Sequence, residues 1–421
     1  MSLTIWHPYT QHKTADPELE IERAQGCTLY LKDGRTLIDG ISSWWVNPFG
    51  HGNQALADAI YRQILHLDQV IFAGFTHQPA QKLATKLQDI LPNNQSKLFF
   101  SDNGSTAVEV GLKMAIQYFY NLNRGPCTVV ALKGSYHGDT FGAMAAGERG
   151  KFFQPFEDYV FDVQFIPPPV TGSRESCLTA LEKIIKNSDN ACFLYEPMVQ
   201  GAGGMIIHDA EILSELLEIC KKNEVICIAD EVMTGFGRTG KYFASEYLSV
   251  EPDIMCLSKC LTGGILPMAL TSCTEKIYAA FHSNDYQATL FHGHSYTGNP
   301  VGCAAALCSL ELLESDSFQD RIQSISRAHR AFVQAYQHHP HVSRIQSLGT
   351  ILAVDLVIGD REGYFNSRSK DIYRYFLNRG ALLRPLGNTV YILPPYCMTD
   401  EELNALHGLI ADLISNPSIL D

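Results

Sequence analysis

The sequence predicts an α/β fold: a mostly parallel sheet in a large domain with helices on both faces, plus a small α+β domain drawn from both termini. Three observations predict it. Between about residues 96 and 275, short apolar runs alternate with amphipathic segments, the rhythm of a sheet buried on both faces. Before that stretch, residues 20–45 alternate apolar and polar around Asp33-Gly34, a hairpin signal. Beyond Gly298, a long helical pattern reaches about His338, and strand-like segments then return.

Taken in order, the hairpin signal gives a small antiparallel meander, and helical periodicity follows in Gln54 to Leu67 and Pro79 to Leu91. The apolar runs are Lys97 to Phe100, Thr128 to Leu132, Cys192 to Tyr195, Val225 to Ala229, Ile254 to Leu257 and Met268 to Ser272, with helical segments such as Ala210 to Lys222 between them. Late strands are expected at Gly349 to Val357 and Val390 to Leu393. The expected division is 1–50 for the N-terminal segment and part of the small domain, 51–310 for the large domain and 311–421 for the rest of the small one. With no repeat or low-complexity linker, the two terminal parts are expected to pack as one discontinuous domain.

Composition narrows the function. A net charge of −13, with 32 scattered basic residues, argues against a nucleic-acid partner, because neutralising phosphates requires clustered Lys and Arg. The start MSLTIWHPYTQHK lacks the basic-then-apolar pattern of a secretion signal, and no apolar run approaches membrane-spanning length, so no membrane partner and a cytoplasmic location are expected. The 12 cysteines, mostly in apolar runs, form no CxxC pair, and the 15 histidines lack ligand spacing; no metal site is expected.

Three elements carry the chemistry. Ser101-Asp102-Asn103-Gly104-Ser105-Thr106 opens a helix, whose free N–H groups and dipole suit a phosphate; the alternative is an ordinary N-cap at Asn103 or Ser105. Asp230 ends the run VICIAD, at the crevice where open α/β sheets bind ligands, and needs a cationic partner; a metal or a purely structural role are its alternatives. Lys259 closes the apolar run DIMCLSK, where a charge is costly unless removed or paired; its alternative is a lysine reaching out to water.

SDNGSTAVEVGLKMA, SYHGDTFG, YEPMVQGAGGM, DEVMTGFGRTG, LSKCLTGG and HGHSYTGNP occur in the order and rough spacing of class III, ornithine-type aminotransferases of fold type I, which the sequence resembles over most of residues 20–400. The resemblance implies pyridoxal 5'-phosphate as cofactor, Lys259 as its Schiff-base lysine and Asp230 as the partner of its pyridinium nitrogen. It also implies Tyr136 on the ring face, Gly104 and Ser105 at the phosphate, and Ser295 reaching the same phosphate from the other subunit of a homodimer. Ser295 stands where the family usually has Thr and keeps the hydroxyl; His294 before it departs from the pattern at the wall of the phosphate cup.

WHPYTQ at 6–11, DGISSWW at 39–45 and RPLGNTVY at 384–391 resemble the biotin-biosynthesis branch of that class. That implies S-adenosylmethionine as amino donor, 8-amino-7-oxononanoate as acceptor and a ping-pong exchange. Tyr9, Trp45, Tyr136, Gly293, Arg384, Arg238 and Tyr391 become the expected substrate contacts, with Arg384 for the acceptor's carboxylate. The alternatives are hydrophobic core for the paired tryptophans and a surface ion pair for Arg384. Competing functions are another class III enzyme acting on an ω-amino acid, a lysine-dependent enzyme of the same pathway, an aminomutase, and a cofactor-binding regulator without activity.

Overall fold

Seven strands make the central sheet in the order β4-β12-β11-β10-β7-β5-β6: β4 Gln95–Ser101, β5 Thr128–Leu132, β6 Val163–Ile166, β7 Ala191–Tyr195, β10 Ile226–Asp230, β11 Ile254–Leu257 and β12 Ala269–Thr274. The computed structural model describes residues 4–147, 150, 153–358, 366, 368–416 and 418. Every neighbouring pair is parallel except those of β12, which runs antiparallel to both β11 and β4. The reversal follows from the short connection 258–268, too short for a crossover helix to return the chain in the same sense. It also leaves Lys259 in a tight turn at the sheet's edge of chemistry.

The sheet divides two cores strictly by strand alternation. On β7, Phe193 and Tyr195 join one cluster and Cys192 and Leu194 the other; on β10 the same split separates Cys227 and Ala229 from Ile226 and Ile228. Runs apolar on both faces are what made these strands visible in the sequence. The strand β6 was not expected, because an edge strand with one exposed and one half-buried central residue has no continuous apolar run.

The meander comprises β1 Ile21–Gln25, β2 Thr28–Leu31 and β3 Thr36–Asp39, and a short β15, Ala381–Leu382, adds to β3 in parallel. A hairpin of β8 Val199–Gln200 and β9 Ile206–Ile207 leads from β7 toward the second small sheet, β13 Val342–Leu348, β14 Ile351–Leu356 and β16 Thr389–Ile392. Strand β13 was also not expected; its residues are almost all half-buried. The helical stretch after Gly298 is two helices, Pro300–Glu314 and Asp316–Tyr336, because Ser315 is extended (φ −66°, ψ 139°) and its Oγ bonds back to Leu312 O. The last helix, Asp400–Ser415, starts on a capping box between Thr399 and Glu402.

A third core lies between these helices and the β13-β14-β16 sheet. Inside it, His329 Nδ1 and His407 Nε2 are 3.0 Å apart, and His329 Nε2 is 3.2 Å from Thr350 O. Burial holds His329 down to about pKa 3 and His407 to about 4, against an ordinary 6.5. Folded, the rings stay neutral; unfolded, each takes a proton as pH falls through 6.5, so their contribution to stability is lost on acidification. Each such proton is worth about 1.4 kcal/mol per pH unit. His329→Gln, which keeps a donor for Thr350 O, is expected to flatten the stability profile between about pH 5 and 6 by roughly that slope, read from urea midpoints.

Candidate active site

The carboxyl ends of β10 and β11 bring a buried acid and a half-buried lysine together. Asp230, 5% exposed, accepts from Val232 N–H at 3.1 Å through Oδ1 and faces His137 Nδ1 at 2.7 Å through Oδ2. The His137 ring is wholly buried, and among the described residues its Nε2 has no partner. Strand β10 pairs with β11 so that Asp230 lies opposite Cys256, which sets Lys259 three residues beyond that register. Ser258 Oγ donates to Met268 O at 2.8 Å, and Lys259 itself is left-handed at φ 45°. Such a conformation costs a non-glycine residue on the order of 1–2 kcal/mol and points to a side chain held where the site needs it. Burial pushes the Lys259 amine below the usual lysine range, partly offset by the charges of Asp230 and Glu196.

The helix Gly104–Asn121 points its start at this pair. Asn103 caps it, accepting from Thr106 N–H at 3.0 Å while Thr106 Oγ1 accepts from Asn103 N–H at 3.1 Å. The cap at Asn103 satisfies Thr106 N–H, and among the described residues no protein acceptor takes the N–H groups of Gly104 and Ser105. The backbone here is tightly seated. A Cβ on Gly104 would lie 2.7 Å from Val232 Cγ1, and one on Gly138 (φ 129°) would lie 2.0 Å from Ser105 Oγ.

A row of polar groups joins the helix start to the opening. Asp139 N–H donates to Ser105 Oγ at 3.2 Å, and the Tyr9 hydroxyl donates to Asp139 Oδ2 at 2.6 Å. Burial, with Tyr9 and Asp139 close by, raises the Tyr136 hydroxyl well above its ordinary range. Behind it, Glu196 accepts from Tyr136 N–H at 3.0 Å and from Gly201 N–H at 2.8 Å. Burial raises the Glu196 carboxyl to about 7. The sequence reading missed His137, Asp139 and Glu196; all three stand inside the motifs SYHGDTFG and YEPMVQGAGGM, but only contacts across the fold reveal their partners.

The two tryptophans part company. Trp45 is 5% exposed, lies with its ring centroid 5.1 Å from Lys259 Nζ, and donates from Nε1 to the Tyr391 hydroxyl at 3.0 Å. Trp44, 43% exposed, meets Tyr9 edge-on at 5.8 Å and carries the Arg384 guanidinium over its ring at 5.2 Å. The opening is thus framed by Tyr9, Trp44 and Arg384, with Trp45 and Tyr391 in the wall beneath.

Three expected residues make no hydrogen bond to these groups among the described residues, although Arg238 lies close enough for its charge to act on Lys259. Arg238 is wholly buried, donating from Nη1 to Pro394 O at 2.6 Å with its guanidinium 4.8 Å over Tyr396. Ser295 and Gly293 are exposed on the loop before the Pro300–Glu314 helix, where Ser295 O accepts from Gln69 Nε2 at 2.7 Å, and no described contact ties them to Lys259 of the same chain.

The donor set fits pyridoxal phosphate: a helix start with free N–H groups for a phosphate, a buried carboxylate for a ring N–H, and a half-buried amine for an aldehyde. Among the described residues no group of three or more His, Cys, Asp or Glu side chains has the arrangement of a metal site, and no helix is long and apolar enough to cross a membrane.

Residues 9–414 match the class-III aminotransferase family. The adenosylmethionine-8-amino-7-oxononanoate aminotransferase of Synechococcus elongatus is 46% identical, over 97% of this chain and 98% of its own. That of Staphylococcus aureus is 35% identical over 99% and 96%. Among solved structures, the enzyme of the same name from Methanocaldococcus jannaschii superposes with a TM-score of 0.92 at 33% identity, covering 98% of this chain and 97% of its own. An amine transaminase from an uncultivated Pseudomonas species, in its PLP-bound form, gives 0.92 at 27% identity with 99% of both chains covered.

Glycine at 138 is tested by contrast with Gly125, which is also left-handed (φ 85°) but faces open space. Gly125→Ala is expected to cost about 1 kcal/mol of backbone strain. Gly138→Ala adds the collision with Ser105 and is expected to cost a further 1–3 kcal/mol or so, measured as the difference in urea midpoints.

Proposed function

The chain belongs to the class-III aminotransferases, and from that premise we propose that it transfers the amino group of S-adenosylmethionine to 8-amino-7-oxononanoate, giving 7,8-diaminononanoate for biotin biosynthesis. The observation that carries the substrate assignment is the opening itself: Arg384 lies over Trp44, which meets Tyr9, an exposed cation beside aromatic rings. The acceptor is a carboxylate on an apolar chain, and a guanidinium is the side chain best matched to a carboxylate. The names of the relatives in three organisms agree with that reading.

Pyridoxal phosphate, when bound, supplies a ring that takes up the electron pair released at the amine-bearing carbon. Gly104 and Ser105 would hold its phosphate, Asp230 its ring nitrogen and Tyr136 one ring face. His137 keeps Asp230 oriented, and the low polarity around both strengthens the attraction of Asp230 for a protonated ring nitrogen. Lys259 would carry the cofactor covalently. Once displaced by the donor, its amine takes the proton from the donor's α-carbon and returns it one position along; only the neutral amine can do this, and burial favours that form. Asp139 and Tyr9, bonded to each other, border Tyr136 on the side where the donor leaves and the acceptor enters.

The same reading assigns residues 51–310 to the cofactor-binding domain and residues 1–50 with 311–421 to a small domain that carries Arg384. It also takes the enzyme as a cytoplasmic homodimer in which the partner subunit's Ser295 completes the phosphate cup, with Gly293 a substrate contact. Exposed Ile71, Phe75, Phe291 and Tyr296, on the segments around Gln69 and Ser295, are the kind of apolar surface a second copy would cover.

Loading the purified enzyme with cofactor and adding S-adenosylmethionine alone is expected to abolish the absorbance band of the bound aldehyde form; conversion by lysine or another amine instead would sink the donor assignment. Lys259→Ala is expected to bind cofactor without covalent attachment and to lose multiple turnover. Arg384→Ala is expected to raise the acceptor KM at least tenfold, the worth of a charged hydrogen bond of about 1.5–3 kcal/mol, while leaving the donor half-reaction within about twofold.

A further inference from the structure

The segment that delivers both tryptophans has an unusual backbone. Ser42, Ser43 and Trp45 all have positive φ (51°, 63° and 65°), and Trp44 between them is non-helical at φ −124°, ψ 59°. Three left-handed non-glycine residues within four positions do not persist unless neighbouring groups over-determine them. The neighbour that does so is Asp39, at the end of β3 and wholly buried. Its Oδ1 accepts from Ile41 N–H at 3.2 Å, and its Oδ2 accepts from Ser43 N–H at 2.7 Å and from His51 Nε2 at 2.8 Å.

The His51 ring is fixed from its other side. Asn47 Nδ2 lies 3.2 Å from His51 Nδ1, and an amide nitrogen can only donate, so Nδ1 accepts and the proton sits on Nε2, facing Asp39. Backbone bonds between Gly26 and His51, at 2.9 and 2.8 Å, tie this residue to the meander. The far side of the turn is pinned as well: Ser42 Oγ donates to Leu393 O at 2.8 Å, Gly40 N–H donates to Leu382 O at 3.2 Å, and a Cβ on Gly264 would lie 2.3 Å from Val46 O. The turn is therefore wedged between the Lys259 loop and the strand that leads to Arg384.

We propose that Asp39, Asn47 and His51 form a clamp of positioning residues that sets acceptor selectivity by holding the strained 41–45 turn, and with it Trp44 at the opening. The inference rests on the function proposed above. It touches neither substrate nor cofactor directly: the clamp acts through Trp44, whose ring meets Tyr9 and Arg384. Loosening it frees the exposed tryptophan first, because Trp45 keeps its own bond to Tyr391.

The chain has three tryptophans, Trp6, Trp44 and Trp45, so in a Trp6→Phe background the emission of the holoenzyme reports this turn alone. In that background His51→Ala is expected to raise the acrylamide quenching constant about twofold and the acceptor KM about tenfold, the size of one lost hydrogen bond to a charge. The kcat and the donor half-reaction stay within about twofold, and His51→Gln, which restores a donor to Asp39, brings both readouts back to within about twofold of the parent. Asn47→Ala, which removes only the donor to His51 Nδ1, is expected to move both readouts in the same direction by a smaller factor, and serves if His51→Ala does not fold. Turnover of the parent with both substrates tests the underlying reading first. With that turnover present, an unchanged acceptor KM in the variants, or an equal loss on donor and acceptor that His51→Gln fails to rescue, overturns the clamp.

Discussion

An acid and an amine held inside an apolar sheet are the constraint to which the rest of the molecule answers. Burying either charge alone costs several kcal/mol, and the chain offsets that cost by placing Asp230 and Lys259 at the ends of adjacent parallel strands. Asp230 collects a backbone N–H and the His137 ring, while Lys259 sits in a left-handed turn with an aromatic face beneath it. The antiparallel β12 belongs to the same solution. A crossover helix after β11 would have carried the chain away from the crevice; a short return leaves Lys259 pointing into it.

The second layer of the site is made by carboxylates that accept backbone N–H groups from loops. Glu196 does this for Tyr136 and Gly201, and Asp39 does it for Ile41 and Ser43. A loop cannot pair its own backbone as a helix or strand does, so a buried acid beside it supplies the missing acceptors and fixes a conformation that propensity alone would not select. In this way residues far apart in sequence give the opening one shape.

That arrangement explains which parts were legible in the sequence. Strands β7, β10 and β11 announced themselves because both faces are apolar, and Asp230 and Lys259 stood out as expensive residues at the ends of such runs. Edge strands β6 and β13, half-buried and partly polar, carried no comparable signal. The break at Ser315 was hidden because apolar spacing continues across it. His137 lies 93 positions from Asp230 and Tyr136 lies 60 from Glu196, separations at which no local pattern predicts a pairing. The complete burial of Arg238, expected to help position substrate, has no local sign in the sequence, because charged residues rarely lie fully buried.

The tryptophan pair shows the limit most sharply. Helical or strand periodicity would assign Trp44 and Trp45 to opposite or neighbouring faces by counting, but their turn follows neither period, since positive φ at three of four positions redirects each Cβ. Trp45, expected at the substrate, lies beneath Lys259 and bonded to Tyr391, while its neighbour Trp44 stands beside Arg384. Which tryptophan faces the opening is thus decided only partly within the motif that contains it, by a buried aspartate at its start together with a histidine six residues past its end. Selectivity for the acceptor then rests on residues that never meet it, and a change at Asp39 or His51 would alter the opening while leaving the chemistry of Lys259 and Asp230 in place.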